Sequence, residues 1–436
     1  MTQTIEPKAD NIYLGGDFAP VDSEVLATDL EVIGAVPPEL EGRYIRNGPN
    51  PIGDVDPASH WFSGPGMVHG VRLRGGGAEW YRNRWVAGKA VTDALGRPEV
   101  PGPPRHAESS PNTNVSGFAG TTWALVEGGS PPAELDYDLA TIRRNDFFGT
   151  LPNGFSAHPK VDPATGDMHA MCHSWGELAD HIEYVVIGSE GRVKHIAEVP
   201  LPGMSMVHDM SITESFPFRW NPGYGARIGL MPLGGAAEAI IWCDVSLCYV
   251  YHVLNAYDAP DGTVVIDVCR YDKMFDRDVY GPAGDCLPTL DRWTVDPKRR
   301  TVREERIDDR FHEFPRVRDD RTGRFHRFGY TAAVGEHFAP GSTYKHDLAT
   351  GTLTEHDHGP GRGTAEPAFV ARPGGTDEDD GWLLSYVSDR AAGRSELVIL
   401  DARDMTEQPV ARVLLPARVP AGFHGNWIPD TGVSSK

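Results

Sequence analysis

Four of the 17 histidines in this sequence stand beside apolar or small residues, near the ends of short apolar segments. These four, with their surroundings, are His158 in FSAHPKVDP, His208 in SMVHDMSIT, His252 in CYVYHVLNAYD and His424 in GFHGNW. A buried neutral imidazole needs a partner for each of its two ring nitrogens, and a metal ion is one suitable partner. We therefore treat these histidines as candidate metal ligands.

The spacing of the four histidines is compatible with one shared site. His208 follows His158 by 50 positions, His252 follows His208 by 44, and His424 comes 172 positions later. The first two steps match the length of one β-propeller blade, and the third spans several blades. Inner strands of a propeller converge on one axis, so equivalent positions of different blades meet there. Spacing alone leaves a second interpretation open, in which these are four unrelated core histidines.

Several other histidines lie in polar surroundings. His356 and His358 fall in the segment TEHDHGP, and His312 and His326 are flanked by arginine or acidic residues. Polar and charged neighbours are typical of a solvated surface. We expect these four side chains to be exposed.

The segments that carry the candidate ligands read as β-strands. Long helical periodicity is absent, and short runs rich in β-branched and aromatic residues recur along the chain. Such runs are typical of strands. The clearest are WALVEGG, HIEYVVIGS, AIIWCDVSLCYVYHVL, TVVIDVCRY, GWLLSYVS and ELVILDA.

Four of the turns between these strands begin with an aspartate, namely Asp162, Asp296, Asp347 and Asp401. Aspartate at the start of a turn can accept hydrogen bonds from the turn amides, and a following glycine accepts a left-handed conformation. Repeated strand–turn–strand units predict an all-β fold, and we favour a β-propeller formed by residues 1–436 as a single domain. A β-sandwich is the alternative, but it rarely needs this many hairpins in one chain.

Composition and charge exclude several classes of function. The formal net charge of −21 argues against binding to nucleic acid and to anionic lipid surfaces. The start, MTQTIEPKAD, has neither the basic nor the apolar region of a signal peptide, and no apolar run approaches the length of a membrane span. Five scattered cysteines without a CxxC pair indicate a reducing compartment. We expect a cytoplasmic protein that binds no nucleic acid.

A series of motifs resembles those of the carotenoid cleavage oxygenases, of the bacterial type that acts on carotenoids and apocarotenoids. The motifs run nearly from end to end of the chain and stand in the order of that family. They are GRYIRNGPNP, HWFSGPGMVHGVRL, WYRNRWV, NTNV, AHPKVDPATG, HDMSIT, HVLNAYD, EFPRV, AEPAFV and FHGNW. Each motif is weak alone, but the collection is specific.

The resemblance implies a seven-bladed β-propeller with one Fe(II) on its axis and loops that cap a substrate tunnel on one face. The four histidines of the family match His158, His208, His252 and His424. Three glutamates that support these ligands match Glu127, Glu313 and Glu366. Imidazole suits Fe(II), and a carboxylate that accepts the second N–H of a ligand histidine orients the ring and returns negative charge to the site.

The reaction implied by the resemblance is oxidative cleavage of a conjugated carbon–carbon double bond by O₂, giving two carbonyl products. The substrate would be an apolar polyene, held in a slot that fits its shape. Four aromatic residues beside the motifs are candidates for this slot, namely Phe62, Phe155, Phe314 and Trp427. Each is equally compatible with an ordinary core position.

The chain departs from the family pattern after His208. The family continues from HDMSITE into an apolar strand and a longer excursion, whereas here Glu214 leads almost at once to SFPFRWNPGYGARIG. One blade is therefore expected to be shortened near residues 213–229. The missing region helps to form the tunnel mouth and a membrane-docking patch in some relatives. We therefore expect at most weak peripheral contact with membranes.

Two rival interpretations remain. A second branch of the same family cleaves stilbenes and related phenylpropenoids, and its members commonly carry a lysine just before the first supporting glutamate. Val126 occupies that position here, and an apolar residue suits a polyene better than a phenol. The other rival is a propeller that serves as a binding module, with the histidines used structurally or for Zn²⁺.

Overall fold

The computed structural model describes residues 11–103, 110–173, 180–201, 222–276, 281–282 and 286–430. Helical structure in these ranges is limited to α1 (Lys89–Leu95) and to short 3₁₀ turns at Ile12–Leu14, Gly16–Phe18, Trp61–Ser63, Ala237–Ala239, Asp319–Arg321 and Glu336–Phe338. Within the same ranges, no helix has the length and apolar character that a membrane span requires.

Almost all of the regular secondary structure in the described ranges is β-strand. In chain order they are β1 (Leu26–Ala27), β2 (Val32–Gly34), β3 (Gly42–Pro49), β4 (Gly66–Arg74), β5 (Gly77–Trp85), β6 (Asn114–Phe118), β7 (Thr121–Leu125), β8 (Ala133–Leu135), β9 (Thr141–Arg144), β10 (Lys160–Val161), β11 (Met168–His173), β12 (His181–Ile187), β13 (Val193–Pro200), β14 (Ala226–Leu230), β15 (Ile241–Val245), β16 (Tyr249–Asp258), β17 (Val264–Tyr271), β18 (Thr289–Asp296), β19 (Thr301–Asp308), β20 (His312–Arg316), β21 (Phe328–Val334), β22 (Pro340–Asp347), β23 (Thr352–His356), β24 (Arg362–Thr364), β25 (Ala368–Ala371), β26 (Gly381–Asp389), β27 (Arg394–Asp401), β28 (Ala411–Leu414) and β29 (Gly425–Pro429).

These strands form antiparallel sheets that follow one another along the chain, as the blades of a β-propeller do. Four sheets are plain meanders of four strands, namely β6–β9, β10–β13, β16–β19 and β20–β23. Two larger sheets contain both ends of the chain, one in the order β1-β5-β4-β3-β29 and one in the order β2-β28-β27-β26-β24. The all-β propeller prediction is confirmed.

The described ranges show six complete blades rather than the predicted seven. The remaining sheet pairs only β14 with β15, from Ala226↔Val245 to Leu230↔Ile241. Its first strand, β14, begins at Ala226, inside the segment 213–229 where the sequence predicts a shortened blade. Residues 202–221, which precede this sheet, lie outside the described ranges.

The aspartate-led turns predicted from sequence are confirmed. Oδ1 of Asp162 accepts a hydrogen bond from the Ala164 amide at 2.8 Å, and Oδ1 of Asp347 accepts one from the Ala349 amide at 3.1 Å. Gly166 and Gly351 close these two turns with φ of 73° each, a conformation that glycine adopts without steric cost. The turns join β10 to β11 and β22 to β23. Side-chain capping therefore specifies the hairpins locally.

The two ends of the chain close the ring together. β29 pairs antiparallel with β3, with Gly425 opposite Arg46 and Trp427 opposite Tyr44. Near the other end, β2 pairs with β28. Ile428 of β29 is buried in a core cluster with residues of β3, β4, β6, β7 and β8, so the final strand fills the space between two blades. Closure by both ends ties the stability of every blade to the last few residues.

The prediction that four histidines are exposed is wrong for at least three of them. His312 and His326 are 0% and 1% exposed, and His356 is also buried, while His358 is half-buried. Their hydrogen-bond partners come from other parts of the chain, since His312 contacts the Thr331 hydroxyl and His356 the Met405 carbonyl. Nε2 of His326 lies 3.1 Å from Oδ2 of Asp267. Arg292 donates one hydrogen bond to each carboxylate oxygen of the same aspartate. Hydrogen bonds to distant residues satisfy these imidazoles inside the protein, which makes their burial tolerable.

Buried histidines are expected to make the fold sensitive to acid. Burial lowers the pKa of His69 and of His346 to about 3, and that of His312 to about 4. The unfolded chain takes up protons on these side chains below pH 6.5 while the folded chain does not, so stability is complete above pH 6.5 and falls as pH decreases toward the folded values. At pH 5.5 each should cost about 1.4 kcal/mol of the free energy of unfolding.

Denaturant unfolding at pH 7.5 and 5.5 measures this loss, which should reach about 4 kcal/mol from the three histidines together. His69→Gln cannot take up the proton and should reduce the difference between the two pH values by about 1.4 kcal/mol. An unfolding free energy that is equal at both pH values would contradict the prediction.

Removal of the closing strand should destabilise the whole propeller. A chain that ends at Gly422 loses β29 and leaves β3 as an open edge, whereas a chain that ends at Asp430 keeps the complete strand. We expect the first variant to lose its cooperative thermal transition and the second to retain that of the full chain. Circular dichroism melting distinguishes the two, and equal melting temperatures would refute a closing role for β29.

Candidate metal centre

Three of the four predicted ligands meet in the described structure. One nitrogen each from His158, His252 and His424 lies within 4.8 Å of the others. The ring centroids are 4.6 Å apart for His158–His424, 4.9 Å for His252–His424 and 5.4 Å for His158–His252. His208, the fourth predicted ligand, lies outside the described ranges. Residues that are far apart in sequence thus converge on one point.

His252 is directed to this point by an irregularity in its strand. In the pairing of β16 with β17, Val250 lies opposite Arg270 and Val253 opposite Val268, so one extra residue is inserted around Tyr251–His252. A β-bulge of this kind leaves a residue unpaired and redirects its side chain, and bulges are frequent beside active sites.

The main chain of His424 is held from both sides. Its amide donates to the Thr113 carbonyl at 3.1 Å, and its carbonyl accepts a bond from the Asn47 amide at 3.0 Å. The next residue, Gly425, leaves no room for a side chain, because a Cβ there would lie 2.7 Å from the Tyr44 hydroxyl. His424 therefore sits at the point where the last strand enters between two other segments.

His158 precedes the short strand β10 and is 8% exposed. Its backbone amide donates a hydrogen bond to the Ser156 hydroxyl at 3.1 Å. Ser156 and Ala157 are themselves buried, so the backbone that carries this histidine is enclosed. The Ala157 carbonyl accepts a bond from Asn114 at 2.7 Å, which ties the segment to β6 of the preceding blade.

Glu313 supports His252. Its Oε2 accepts a hydrogen bond from His252 Nδ1 at 2.5 Å and one from the Phe314 amide at 2.6 Å. Its other oxygen, Oε1, accepts a bond from the fully buried hydroxyl of Tyr271 at 2.7 Å. Burial holds the pKa of that phenol well above its usual range, so Tyr271 remains a donor. Both carboxylate oxygens are thus fixed.

Glu366 supports His424 in the same manner but with a different backing. Oε1 accepts a bond from His424 Nδ1 at 3.0 Å, and Oε2 accepts one from the Gly425 amide at 2.8 Å and lies 3.4 Å from Arg316 Nη1. Burial would raise the pKa of Glu366, but His424, Arg316 and these hydrogen bonds together lower it to about 2. The carboxylate is therefore ionised at any physiological pH.

Glu127 lies beside His158. Its Oε1 is 2.8 Å from His158 Nε2, and both side chains are almost completely buried. This contact differs from the other two, which use Nδ1. Glu127 follows β7, and it was the glutamate whose sequence context, directly before two glycines, gave the weakest reason to expect a buried position.

The donor set fits a divalent transition metal. His252 and His424 each direct Nδ1 at a carboxylate, which leaves Nε2 as the nitrogen that can bind an ion. Imidazole is a suitable ligand for iron, copper, nickel and zinc, and carboxylates behind it fix the ring and offset the charge of the ion. Burying three carboxylates around neutral imidazoles is costly without a cation between them.

A mostly apolar pocket opens beside the histidines. His252, His424, Glu127 and Glu313 form its polar side, and the rest is mainly aromatic, with Trp61, Phe62, Tyr251, Phe314, Phe338 and Phe423 in the wall. A mostly apolar pocket with a few convergent polar groups is the usual form of a small-molecule site. It suits a long apolar substrate.

Two of the four aromatic residues predicted to line the slot are in this wall, namely Phe62 and Phe314. Phe155 is not, because it is completely buried against Phe147, with their ring centroids 4.8 Å apart. Trp427 is not either, because β29 directs it into the core cluster that contains Tyr44. The structure thus corrects these two assignments to core packing.

Comparison with known proteins places this site in a family. The family described as "Retinal pigment epithelial membrane protein" matches residues 18–217 and 215–429. A carotenoid cleavage oxygenase of Mycobacterium tuberculosis is 40% identical, over 99% of this chain and 100% of that protein. The chain belongs to the carotenoid cleavage oxygenase family. It is an oxygenase of a metal-dependent family.

Two further oxygenases are similar to this chain at lower identity. The apocarotenoid-15,15'-oxygenase of Synechocystis is 30% identical, over 91% of this chain and 92% of its own length. Its cobalt-substituted crystal structure superimposes with a TM-score of 0.82 at 28% identity, covering 94% of this chain and 97% of that one. The lignostilbene dioxygenase of Pseudomonas brassicacearum gives a TM-score of 0.83 at 26% identity, covering 96% and 98%.

Three supporting residues of this oxygenase escaped prediction from its sequence. Tyr271 lies 42 positions before Glu313, and nothing local marks it as a partner. Arg316 stands inside the EFPRV motif, only three positions after Glu313, yet it contacts Glu366. Trp61 directly precedes Phe62 in the motif HWFSGPGMVHGVRL. Of the three residues, it is the one that the motif could have identified.

Removing the charge of Glu366 should weaken metal binding. Glu366→Gln keeps the side-chain shape but loses the anion that faces His424, and loss of such a partner typically costs roughly 10–100-fold in metal affinity. Titration with cobalt(II), followed by its visible absorption, measures this change. Glu305→Gln, which removes one carboxylate from the exposed face of β19, is the matched control. Equal affinity in the two variants would contradict the assignment.

Proposed function

We propose that this chain is a non-heme Fe(II) dioxygenase that cleaves a conjugated carbon–carbon double bond of a carotenoid or apocarotenoid. Each of the two carbons receives one atom of O₂, which gives two carbonyl products and leaves no atom unaccounted for. The observation that carries the proposal is the cluster of His158, His252 and His424, backed by carboxylates and opening on an aromatic cavity.

One Fe(II) per chain is proposed at this cluster, with His208 as the fourth ligand. Bound iron would activate O₂, and four neutral imidazoles leave coordination positions open for it. Glu313 and Glu366 hold the tautomers of His252 and His424, so that Nε2 of each carries no proton. Their charge offsets that of the ion.

The contribution of the remaining residues is to bind and orient the polyene. Phe62, Phe314 and Phe423 form flat apolar surfaces around the histidines, and they exclude water from the reacting bond. Burial of a long apolar chain provides binding energy, and the narrow shape of the cavity holds one double bond beside the metal. No side chain is needed to accept or donate a proton in the net reaction.

A polyene substrate is favoured over a stilbene. Two of the relatives quoted above, with sequence identities of 40% and 30%, are named as oxygenases of carotenoids or apocarotenoids. The lignostilbene dioxygenase has a lower sequence identity of 26%. Val126, which precedes Glu127, provides no charge for a phenolic hydroxyl. Stilbene cleavage remains the second candidate because the two branches share the same fold.

We also propose that the pair β14–β15 is the outer half of a seventh blade that the chain has shortened. The family match supports this, because its two parts meet at residues 215–217, inside the segment 213–229. The alignment with the Mycobacterium tuberculosis protein extends over 504 positions, although this chain has only 436 residues, so gaps are required. On this proposal the whole chain is one domain, with a reduced tunnel cap and at most weak contact with membranes in the cytoplasm.

Aerobic incubation of the Fe(II)-loaded protein with an apocarotenal, a full carotene and resveratrol tests the proposed activity. We expect carbonyl products from a carotenoid substrate, and no products from His424→Ala because a ligand is lost. His181→Ala, in which the altered side chain hydrogen-bonds the exposed Asp180 and lies in β12 rather than at the histidine cluster, should keep both iron and activity.

Metal analysis separates the oxygenase from the binding-module alternative. Iron near one per chain, absent from His424→Ala, supports the proposal. Zinc in place of iron, or an intact fold that cleaves none of the three substrates, would refute it.

A further inference from the structure

A second cavity adjoins the pocket beside the histidines. Trp61, Phe314 and Phe338 belong to the walls of both, so these three aromatic rings are all that is common to the two compartments. Valines and alanines of β21 and of residues 419–421 form much of the remaining wall. The second cavity therefore continues the apolar surface away from the histidines.

Arg46 is a buried cation in the wall of this second cavity. It is 4% exposed, its Nε donates to the Phe423 carbonyl at 3.2 Å, and its Nη1 donates to the Pro420 carbonyl at 2.8 Å. In the described part of the chain, Nη2 has no hydrogen-bond acceptor and no carboxylate lies within 4 Å of the guanidinium. Glu366 attracts this buried charge only from beyond ion-pair distance, so an acceptor that a ligand brings to Nη2 would be favourable.

The other polar groups of this cavity are already engaged. The hydroxyls of Thr364, Tyr386 and Ser388 donate to protein acceptors, at 2.9 to 3.3 Å for their shortest contacts. Asp17 is paired with Arg390 at 2.7 Å, so its charge is offset at the wall. Arg46 thus retains donor capacity where these neighbours do not.

Arg46 also has a fixed relation to the metal centre. It lies opposite Gly425 in the pairing of β3 with β29, one residue from His424. Its guanidinium binds the carbonyls of residues 420 and 423, which lead directly to that ligand. An atom bound by Arg46 is therefore held at a constant distance from the histidines.

Two of the shared wall residues have unusual backbone conformations. Phe314 and Phe338 have φ of 54° and 58°, a region that bulky residues rarely occupy. Their ring centroids are 6.2 Å apart. Such strain persists only where the surroundings enforce it, and it is frequent at functional sites. Here the strained backbone fixes the positions of the Phe314 and Phe338 rings. A chain-like ligand would pass these two rings on its way from one compartment to the other.

We propose that Arg46 binds the oxygen-bearing end of an apocarotenoid, an aldehyde or carboxylate, in the second cavity. The polyene then runs past Trp61, Phe314 and Phe338 to the metal, and the length from Arg46 to the histidines selects the double bond that is cleaved. This inference rests on the proposed function and specifies its substrate as a polyene with an oxygenated end.

Paired substrates test the inference on the full-length protein. One is a linear apocarotenal, and the other is the hydrocarbon in which a methyl group replaces the aldehyde. Binding is measured under anaerobic conditions by quenching of tryptophan fluorescence, so that no turnover occurs. A hydrogen bond from the charged guanidinium of Arg46 to the aldehyde oxygen should make the affinity of the wild type for the aldehyde about tenfold or more higher than that for the hydrocarbon.

Arg46→Met removes the charge while keeping an unbranched apolar side chain, and Arg46→Lys keeps the charge. We expect Arg46→Met to reduce the preference to within about twofold and Arg46→Lys to retain part of it. The ratio of the two substrates on one variant cancels any general loss of folding or metal. Mass spectrometry of the products should show one cleavage position in the wild type and several in Arg46→Met.

An equal preference in wild type and Arg46→Met would overturn the inference, as would a wild type that binds both substrates equally or neither. Failure of the inference is distinguishable from failure of the proposed function. A protein that prefers the aldehyde but cleaves nothing supports the role of Arg46 and refutes the oxygenase. A protein that cleaves both substrates without preference supports the oxygenase and refutes the role of Arg46.

Discussion

The pairing of buried carboxylates with buried imidazoles is the constraint on which the rest of this structure depends. A neutral imidazole can bind a metal only if its second nitrogen has a partner, and here that partner is Glu313 for His252 and Glu366 for His424. Each carboxylate must in turn be fixed by donors of its own. The bulge in β16, the buried phenol of Tyr271 and the entry of β29 beside Gly425 all serve these contacts.

The two well-defined arms of the site differ in their electrostatic backing. Glu313 is held by a neutral phenol and a backbone amide, whereas Glu366 also faces the guanidinium of Arg316. A cation behind Glu366 offsets part of the negative charge that this carboxylate presents to His424. The site is thus asymmetric although its ligands are chemically identical.

Closure of the propeller and assembly of the site are the same structural event. His424 stands one residue before the strand that completes the ring, and Arg46 lies on the strand that β29 joins. Pairing of these two strands places His424 and the buried guanidinium of Arg46 close together, and the Gly425 amide at the start of β29 donates to Glu366. The aromatic rings of Trp61, Phe314 and Phe338 then separate two cavities that a linear apolar ligand could occupy at once.

Local chemistry made much of this protein predictable from its sequence. The turns at Asp162 and Asp347 depend on neighbouring residues only, and the strands they join follow from short apolar runs, so the all-β class was accessible. The candidate ligands were recognisable because an imidazole beside apolar residues needs a partner. The three glutamates required the family resemblance, since nothing next to Glu127 marks it as buried.

Only the tertiary structure decided which side chains face one another. His312 and His326 have charged neighbours in sequence, yet both are buried, with partners at Thr331 and Asp267 in other parts of the chain. Phe155 and Trp427 flank motifs and still belong to the core, while Tyr271, Arg316 and Arg46 reach the site or its cavities from positions without a local signal. Residue types along one strand determine its period and its turns. The distances between blades, and therefore the partners of a buried charge, depend on how all the sheets pack around the axis.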